Sequence, residues 1–318
     1  MTPLTYQVGA VRVHLLSDGV FWSDGGAAFG VVPRVLWEKI IRPDAFNRIA
    51  LELRSLLIES DDGLILVDTG HGQKLSAKRR EQLGLTGQRR LLDELADLGY
   101  RADDVRMVIN THLHADHCGG NTVFDFEGRL ASTFPNATYV VQRLELADAT
   151  YPNERTRNAY FHENFLPLSS LCDGNGAGVL RIFSGDARVN SQVRVQVTPG
   201  HTRAHQVVIV ESQGQSAIFL GDVAGFALNL ERLAWVPAFD VEPLVSMETK
   251  RGLRDWAFHK DVLLVFQHDI SVAAGRLRRD KADGQGDGAT WRVEPVAQPV
   301  AQPGAAMNEI HLNEESIR

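Results

Sequence analysis

Three histidines and an aspartate lie close together in the segment THLHADHCGG, residues 111–120. Imidazole and carboxylate groups are ligands that zinc, manganese, iron and cobalt accept. Residues two apart in an extended segment point to the same side, so His112 and His114 can face one ion. Asp116 and His117 follow after a turn and must face elsewhere. This spacing indicates two metal ions rather than one.

Further acidic or imidazole side chains occur where predicted strands end, and they are Asp68, His201, Asp222 and His268. A carboxylate such as Asp222 can bridge two ions about 3.5 to 4 Å apart. A single histidine is more often a hydrogen-bonded structural residue than a ligand. The HxHxDH unit directly after a buried strand is different, because several ligand types at that spacing favour a metal site.

Two cations that share a water would lower its pKa from about 15.7 toward neutrality and so provide a hydroxide nucleophile. They would also polarise a carbonyl or phosphoryl oxygen, while Asp116 or Asp222 passes a proton to the leaving group. Cys118 offers an alternative nucleophile, but a thiol beside metal ligands is more often packed. The pattern therefore predicts metal-assisted hydrolysis of a small-molecule substrate, with Asp116 and Asp222 as catalytic residues.

The composition of the chain argues against a polyanionic partner. With 318 residues, of which 44% are hydrophobic, the chain can bury a sizeable core. The net charge of -7 and the lack of a basic block predict no binding to nucleic acid or to a membrane. The only cysteines, Cys118 and Cys172, fit a reducing compartment. We expect a cytoplasmic protein, unless a signal peptide has been removed.

The elements that must position these side chains alternate between strands and helices. Alternating or β-branched segments predict strands at residues 11–16, 53–59, 64–67, 105–112, 137–142, 179–183, 193–201, 205–212, 216–222, 261–269 and 291–296. Helices are predicted at residues 91–98, 143–150 and 246–260, with an irregular helical stretch at 151–171. Together they predict a layered α/β protein with mixed sheets, as one domain over residues 1–297 with a flexible tail at 298–318.

Residues 21–40 are rich in glycine and aromatic side chains, and we interpret them as an active-site loop rather than as core. An apolar pocket is expected from side chains of this stretch and of the segment after Asp222, namely Phe21, Trp22, Phe29, Val32, Trp37 and Phe226. Such a pocket would accept an acyl chain or an aryl leaving group equally well.

The motifs together resemble the signature of the metallo-β-lactamase superfamily. THLHADH occurs with Asp68 in LVDTG, His201 in TPGHT, Asp222 in FLGD and His268 in VFQHD, in the family's order and over roughly residues 10–295. The resemblance implies a four-layer αββα sandwich of two mixed β-sheets flanked by helices. It also implies two divalent metal ions, with zinc as the first expectation and manganese, cobalt or iron as alternatives.

The resemblance further implies a role for each ligand. His112, His114 and His201 would hold one ion, and Asp116, His117 and His268 would hold the other. Asp222 would bridge the two ions. Asp68 and His205 would orient the ligands through outer hydrogen bonds.

Three stretches are similar to the subgroup that contains YtnP-type quorum-quenching lactonases and the methyl parathion hydrolases, namely DGGAAFGVVPRVLWEK, FNRIALELRSLLIES and AFDVEPLVSMETKR. This implies opening of lactone or ester bonds, including those of acyl-homoserine lactones, with organophosphate triester hydrolysis as the alternative. Asp222 argues against β-lactam hydrolysis, since true β-lactamases of the superfamily usually lack it. The better-known acyl-homoserine lactonases carry a tyrosine where this chain has Gly225, and Asn229 is the candidate replacement donor.

Two other functions fit the sequence less well. Thioesterases of the glyoxalase II kind carry a dedicated helical C-terminal domain, for which the tail is too short. Flavodiiron redox proteins need a flavodoxin module, and none is recognisable after residue 275. Related hydrolases often pair through the N-terminal loop region, so a homodimer is expected by analogy.

Overall fold

The computed structural model describes residues 3–85, 88–172, 178–280 and 290–296. The strands are β1 Leu4–Val8, β2 Val11–Asp24, β3 Arg48–Ser60, β4 Gly63–Val67, β5 Val105–Ile109, β6 Thr122–Phe124, β7 Leu130–Ser132, β8 Thr138–Gln142, β9 Leu180–Phe183, β10 Ala187–Arg188, β11 Val193–Val197, β12 Gln206–Ser212, β13 Gln215–Phe219, β14 Leu263–Val265, β15 Ala274–Asp280 and β16 Thr290–Pro295. The α-helices are α1 Gly25–Phe29, α2 Arg34–Trp37, α3 Ala77–Leu83, α4 Leu91–Asp97, α5 Ala115–Cys118, α6 Arg143–Thr150, α7 Ala227–Glu231 and α8 Pro243–His259. The predicted tail at 298–318 lies outside the described residues.

Two seven-stranded mixed sheets form the centre of the fold. The first has the order β1-β2-β3-β4-β5-β8-β9 and the second the order β10-β11-β12-β13-β14-β15-β16. Strands β4, β5, β8 and β9 run parallel to one another, as do β13 and β14, and the other pairs in these two sheets are antiparallel. Strand β16 corresponds to the strand predicted at residues 291–296, and it lies at an edge of the second sheet.

The inner faces of the two sheets pack against each other. Their alternate residues form one buried cluster, to which Val13 and Leu56 contribute from the first sheet and Val208 and Phe219 from the second. Every second residue of a strand points to the same face, so this cluster follows from the alternation in the sequence.

The outer face of each sheet is covered by helices. Leu91 and Leu95 of α4 pack on the first sheet, and Leu253 and Ala257 of α8 pack on the second. The predicted four-layer αββα arrangement is therefore confirmed.

The structure of residues 21–40 differs from the active-site loop that was expected there. Residues 21–24 complete the long strand β2, and α1 and α2 follow it. Phe21, Phe29 and Trp37 are buried in one apolar cluster, in which the rings of Phe29 and Trp37 stack with centroids 5.0 Å apart. Burial of such large aromatic side chains stabilises the fold more than their exposure in a loop would, which explains the difference.

The strands that precede the candidate ligands are shorter than predicted. Strand β5 ends at Ile109, β11 at Val197, β13 at Phe219 and β14 at Val265. The candidate ligands therefore lie in the connections after these strands and not within the sheets.

Among the described residues, none of the helices has the length and apolar character that a membrane span requires.

Candidate metal centre

Strand direction brings the candidate residues to one edge of the sandwich. Parallel neighbours end at the same edge of a sheet, so Asp68 after β4 lies beside the segment after β5. In the second sheet, Asp222 after β13 and His268 after β14 are brought together in the same way. His201 lies in the connection from β11 to β12, which reaches the same edge because β11 and β13 both pair antiparallel with β12.

Two groups of ligand atoms form at this edge. The first ligand group contains His112, His114 and His201 together with Asp222, and the second contains Asp116, His117 and His268. Within each group, the ligand atoms all lie within 4.8 Å of one another. The grouping matches the two sets of ligands implied by the resemblance.

Asp222 lies between the two groups. Its Oδ2 is 3.2 Å from Nε2 of His201. Its Oδ1 is 2.9 Å from Nε2 of His268 and 3.3 Å from Nε2 of His117. One carboxylate therefore directs one oxygen to each group, as a ligand that bridges two ions must.

Three buried polar atoms of the cluster form no well-aligned hydrogen bond among the described residues, although Oδ1 of Asp222 lies close to Nε2 of His117 and of His268. The three atoms are Nε2 of His112, Nε2 of His117 and Oδ1 of Asp222. Buried polar atoms without partners are costly, and they are expected where a ligand or ion supplies the missing interaction. The residues present thus fit two divalent cations.

The charge states of His112, His114 and Asp222 fit cation binding. Burial and neighbouring imidazoles lower the pKa of His112 well below the ordinary value and that of His114 to about 3, so both are neutral at neutral pH. Burial opposes ionisation of Asp222, but the imidazoles of His117, His268 and His201 hold its pKa well below the ordinary value. Neutral imidazole and ionised carboxylate are the forms that bind metals. Burial opposes protonation of His117, His201 and His268, but neighbouring carboxylates raise their pKa, so these three would release protons when a cation binds.

Of the two residues expected to support the ligands, Asp68 contacts a ligand imidazole, whereas His205 contacts the backbone of Asp222 and no ligand imidazole. Asp68 accepts a hydrogen bond from Nδ1 of His117 at 2.9 Å. His205 accepts from the backbone N–H of Asp222 at 3.1 Å through its Nε2, while its Nδ1 lies 2.8 Å from Oγ1 of Thr198.

Three supporting groups were not found from the sequence. Asp240 accepts from Nδ1 of His201 at 2.9 Å, and the carbonyl of Glu52 accepts from Nδ1 of His268 at 2.8 Å. Glu145 contacts the connections that carry the first ligand group. None of these residues stands in a ligand-like spacing, so the sequence carries no signal for them.

A cavity of about 460 Å³ opens onto both ligand groups. Phe21, Trp22, Phe226 and Asn229 line it, as expected. Phe29, Val32 and Trp37 were also expected in the pocket wall but do not line the cavity, because they pack in one apolar cluster.

Asn229, the candidate replacement donor, is held in the cavity wall by two hydrogen bonds. Its Oδ1 accepts a hydrogen bond from the backbone N–H of Phe226 at 2.9 Å, and its Nδ2 donates one to the carbonyl of Trp235 at 3.1 Å.

His71 also lines the cavity, although it was not expected there from the sequence. Neither of its ring nitrogens has a hydrogen-bond partner among the described residues.

Cys118 is packed rather than poised for attack. Its thiol is buried and donates to the carbonyl of Leu113 at 3.2 Å. Burial raises the pKa of this thiol well above the ordinary value, so the nucleophilic thiolate is disfavoured.

Comparison with known proteins agrees with this geometry. The metallo-beta-lactamase superfamily matches residues 54–253. An N-acyl homoserine lactonase of Bacillus cereus is 28% identical over 242 residues, which are 72% of this chain and 86% of the relative. The N-acyl homoserine lactonase AttM of Rhizobium radiobacter is 24% identical over 225 residues, which are 67% of this chain and 80% of the relative.

Solved structures share the whole architecture. A probable metal-dependent hydrolase from Staphylococcus aureus superimposes with a TM-score of 0.77 at 28% identity, over 92% of this chain and 100% of the other. AidC, a dizinc quorum-quenching lactonase, superimposes with a TM-score of 0.70 at 18% identity, over 93% of this chain and 98% of the other. Because the family match covers more than half of the chain and includes every candidate ligand except His268, the chain belongs to the metallo-beta-lactamase superfamily, and it is a hydrolase.

Proposed function

We propose that this chain is a dinuclear lactonase that opens the ring of N-acyl homoserine lactones. The observation that carries the proposal is that both ligand groups, joined by Asp222, lie on one cavity with largely apolar walls. The seven side chains of these groups would hold the two ions, and the predicted assignment of each ligand is part of the proposal. Relatives named N-acyl homoserine lactonases support this substrate class.

The ions, when bound, supply Lewis-acid polarisation of the lactone carbonyl and lower the pKa of a water. Asp116 lines the cavity and keeps its carboxylate 3.7 Å from Nε2 of His117. Burial opposes its ionisation, but His117, His71 and His268 lower its pKa below the ordinary value. Asp116 is therefore an ionised base that can accept a proton from water and return it to the ring oxygen that leaves.

The cavity walls suit an acyl chain. The apolar residues of the cavity lining include Phe21, Trp22, Leu51, Leu75 and Leu83. Apolar walls bind the chain by removing its surface from water, while the few polar groups near the ligands orient the reacting carbonyl.

The direct experiment is lactone hydrolysis by the purified chain, followed by proton release, with N-hexanoyl and N-decanoyl homoserine lactone as substrates. We expect a chelator to abolish hydrolysis and added zinc, manganese or cobalt to restore it. A paraoxon-type triester in the same assay tests the alternative of organophosphate hydrolysis. We expect its kcat/KM to be lower than that of the lactones. Lactone turnover in metal-free protein, or none in metal-loaded protein, would refute the proposal.

A further inference from the structure

Glu145 on α6 is a buried carboxylate that has only neutral partners among the described residues. Only 1% of its surface is exposed. It accepts hydrogen bonds from the backbone N–H of Leu113 at 2.9 Å, the hydroxyl of Thr202 at 2.6 Å and the hydroxyl of Tyr160 at 3.2 Å. A buried polar group is costly unless it is hydrogen-bonded, so these three bonds fix Glu145 and its partners relative to one another.

The partners of Glu145 belong to the connections that supply the first ligand group. Leu113 lies between His112 and His114, and Thr202 directly follows His201. One oxygen therefore holds the connection after β5, and the other holds the connection between β11 and β12. Since these connections belong to different sheets, Glu145 links the two halves of the sandwich at the metal site.

The third bond supports the same imidazoles. The ring of Tyr160, whose hydroxyl donates to Glu145, has its centroid 4.9 Å from that of His114. The ring of His114 in turn lies 4.9 Å from the ring of His201.

The second ligand group has different supports. His117 is held by Asp68, and His268 is held by the carbonyl of Glu52. None of the three bonds of Glu145 reaches these residues.

We infer that Glu145 is a positioning residue that fixes the spacing of the first ligand group and so sets the affinity for one of the two ions. The inference rests on the dinuclear centre of the proposed function. Partners that orient metal ligands typically change metal affinity by about 10- to 100-fold when they are removed. The loss should be confined to one ion, because none of the three bonds of Glu145 supports a residue of the second ligand group.

The test uses Glu145→Gln, which keeps the size of the side chain but offers one acceptor oxygen instead of two. Metal-stripped protein is titrated with cobalt(II), followed by its visible absorption, and ions per chain are counted by elemental analysis. We expect one ion to bind with wild-type affinity and the other about 10- to 100-fold more weakly. The same substitution in an Asp116→Ala background, which retains the complete first ligand group, should weaken the ion that remains.

Asp148→Asn is the matched control. Asp148 also lies on α6 and pairs with Arg203 beside Thr202, but this pair is partly exposed and contributes little. We expect wild-type affinity for both ions. Thermal unfolding of all variants followed by circular dichroism reports whether the fold is kept.

A second pair of variants keeps the test decisive if Glu145→Gln fails to fold. Thr202→Val removes the hydroxyl that donates to Glu145, and Thr202→Ser retains it. We expect only the valine variant to weaken one ion selectively. Unchanged affinity for both ions in Thr202→Val and in any folded Glu145→Gln, or equal weakening of both, overturns the inference. Wild-type protein that binds no ion would instead refute the proposed function.

Discussion

Oδ2 of Asp68 lies 2.9 Å from Nδ1 of His117. The same carboxylate accepts hydrogen bonds from the backbone N–H of Thr111 at 2.8 Å and from its hydroxyl at 2.7 Å. The bond to Nδ1 places the proton of His117 on that nitrogen, so Nε2 is left free to face an ion. Thr111 immediately precedes His112. One buried carboxylate therefore orients a ligand of the second group and anchors the segment that carries the first.

We predict that Asp68→Asn weakens metal binding by about 10- to 100-fold, with a similar loss of lactone hydrolysis. The amide has one acceptor oxygen for three donors, so at least one bond is lost, at a cost of about 1 to 3 kcal/mol in the free energy of unfolding. Asp62→Asn in the exposed turn after β3 is the control and should change neither property. Full metal content in the folded Asp68→Asn variant would contradict this role.

Most of the candidate ligands are recognisable in the sequence because their signal is local. His112, His114, Asp116 and His117 lie within one turn and its approach, and Asp222 and His268 each follow an apolar strand. The inner core was predictable for the same reason, because alternation within a strand assigns each side chain to a face.

The supports of the ligands could not be predicted, because they depend on contacts between distant segments. Asp240 is 39 positions from His201. Glu145 is 32 positions from Leu113. The prediction that Phe29 and Trp37 line the cavity was wrong for a related reason. Their aromatic character indicates burial, but it does not show whether they border the cavity or pack in the core.

Gly120→Ala should destabilise the fold and disturb the site. A Cβ at this position would lie 2.3 Å from the backbone oxygen of Thr69, which follows Asp68. Backbone must move to relieve such a contact, and overpacking of this kind costs about 1 to 3 kcal/mol in the free energy of unfolding. Gly252→Ala is the control, because a Cβ on this exposed turn of α8 meets nothing within 4 Å. Chemical denaturation should show a loss for Gly120→Ala and a gain of about 0.5 to 1 kcal/mol for Gly252→Ala.

Leu83→Ala should reduce the preference for long acyl chains. Leu83 ends α3 and lines the cavity, and each methylene that it covers is worth about 0.8 kcal/mol. We expect kcat/KM for N-decanoyl homoserine lactone to fall about fourfold or more while that for a short-chain lactone changes little. Leu144→Ala, an exposed leucine of α6 outside the cavity wall, should leave the ratio unchanged. An equal loss for short and long chains would indicate that Leu83 supports the fold and does not contact the chain.

Asp116→Ala should remove one ion and most of the activity while the sandwich stays folded. The side chain is 22% exposed at the cavity and belongs to none of the three apolar clusters on the inner and outer faces of the sheets, so the packing of the strands does not depend on it. Loss of a ligand and of the proposed base should lower kcat by about 10²-fold or more. The thermal stabilisation by added zinc should shrink as well, since a folded protein gains stability only from ions that it binds. Asp125→Asn, in the exposed turn between β6 and β7, is the control. Two ions per chain in Asp116→Ala would show that the second ligand group does not need this carboxylate.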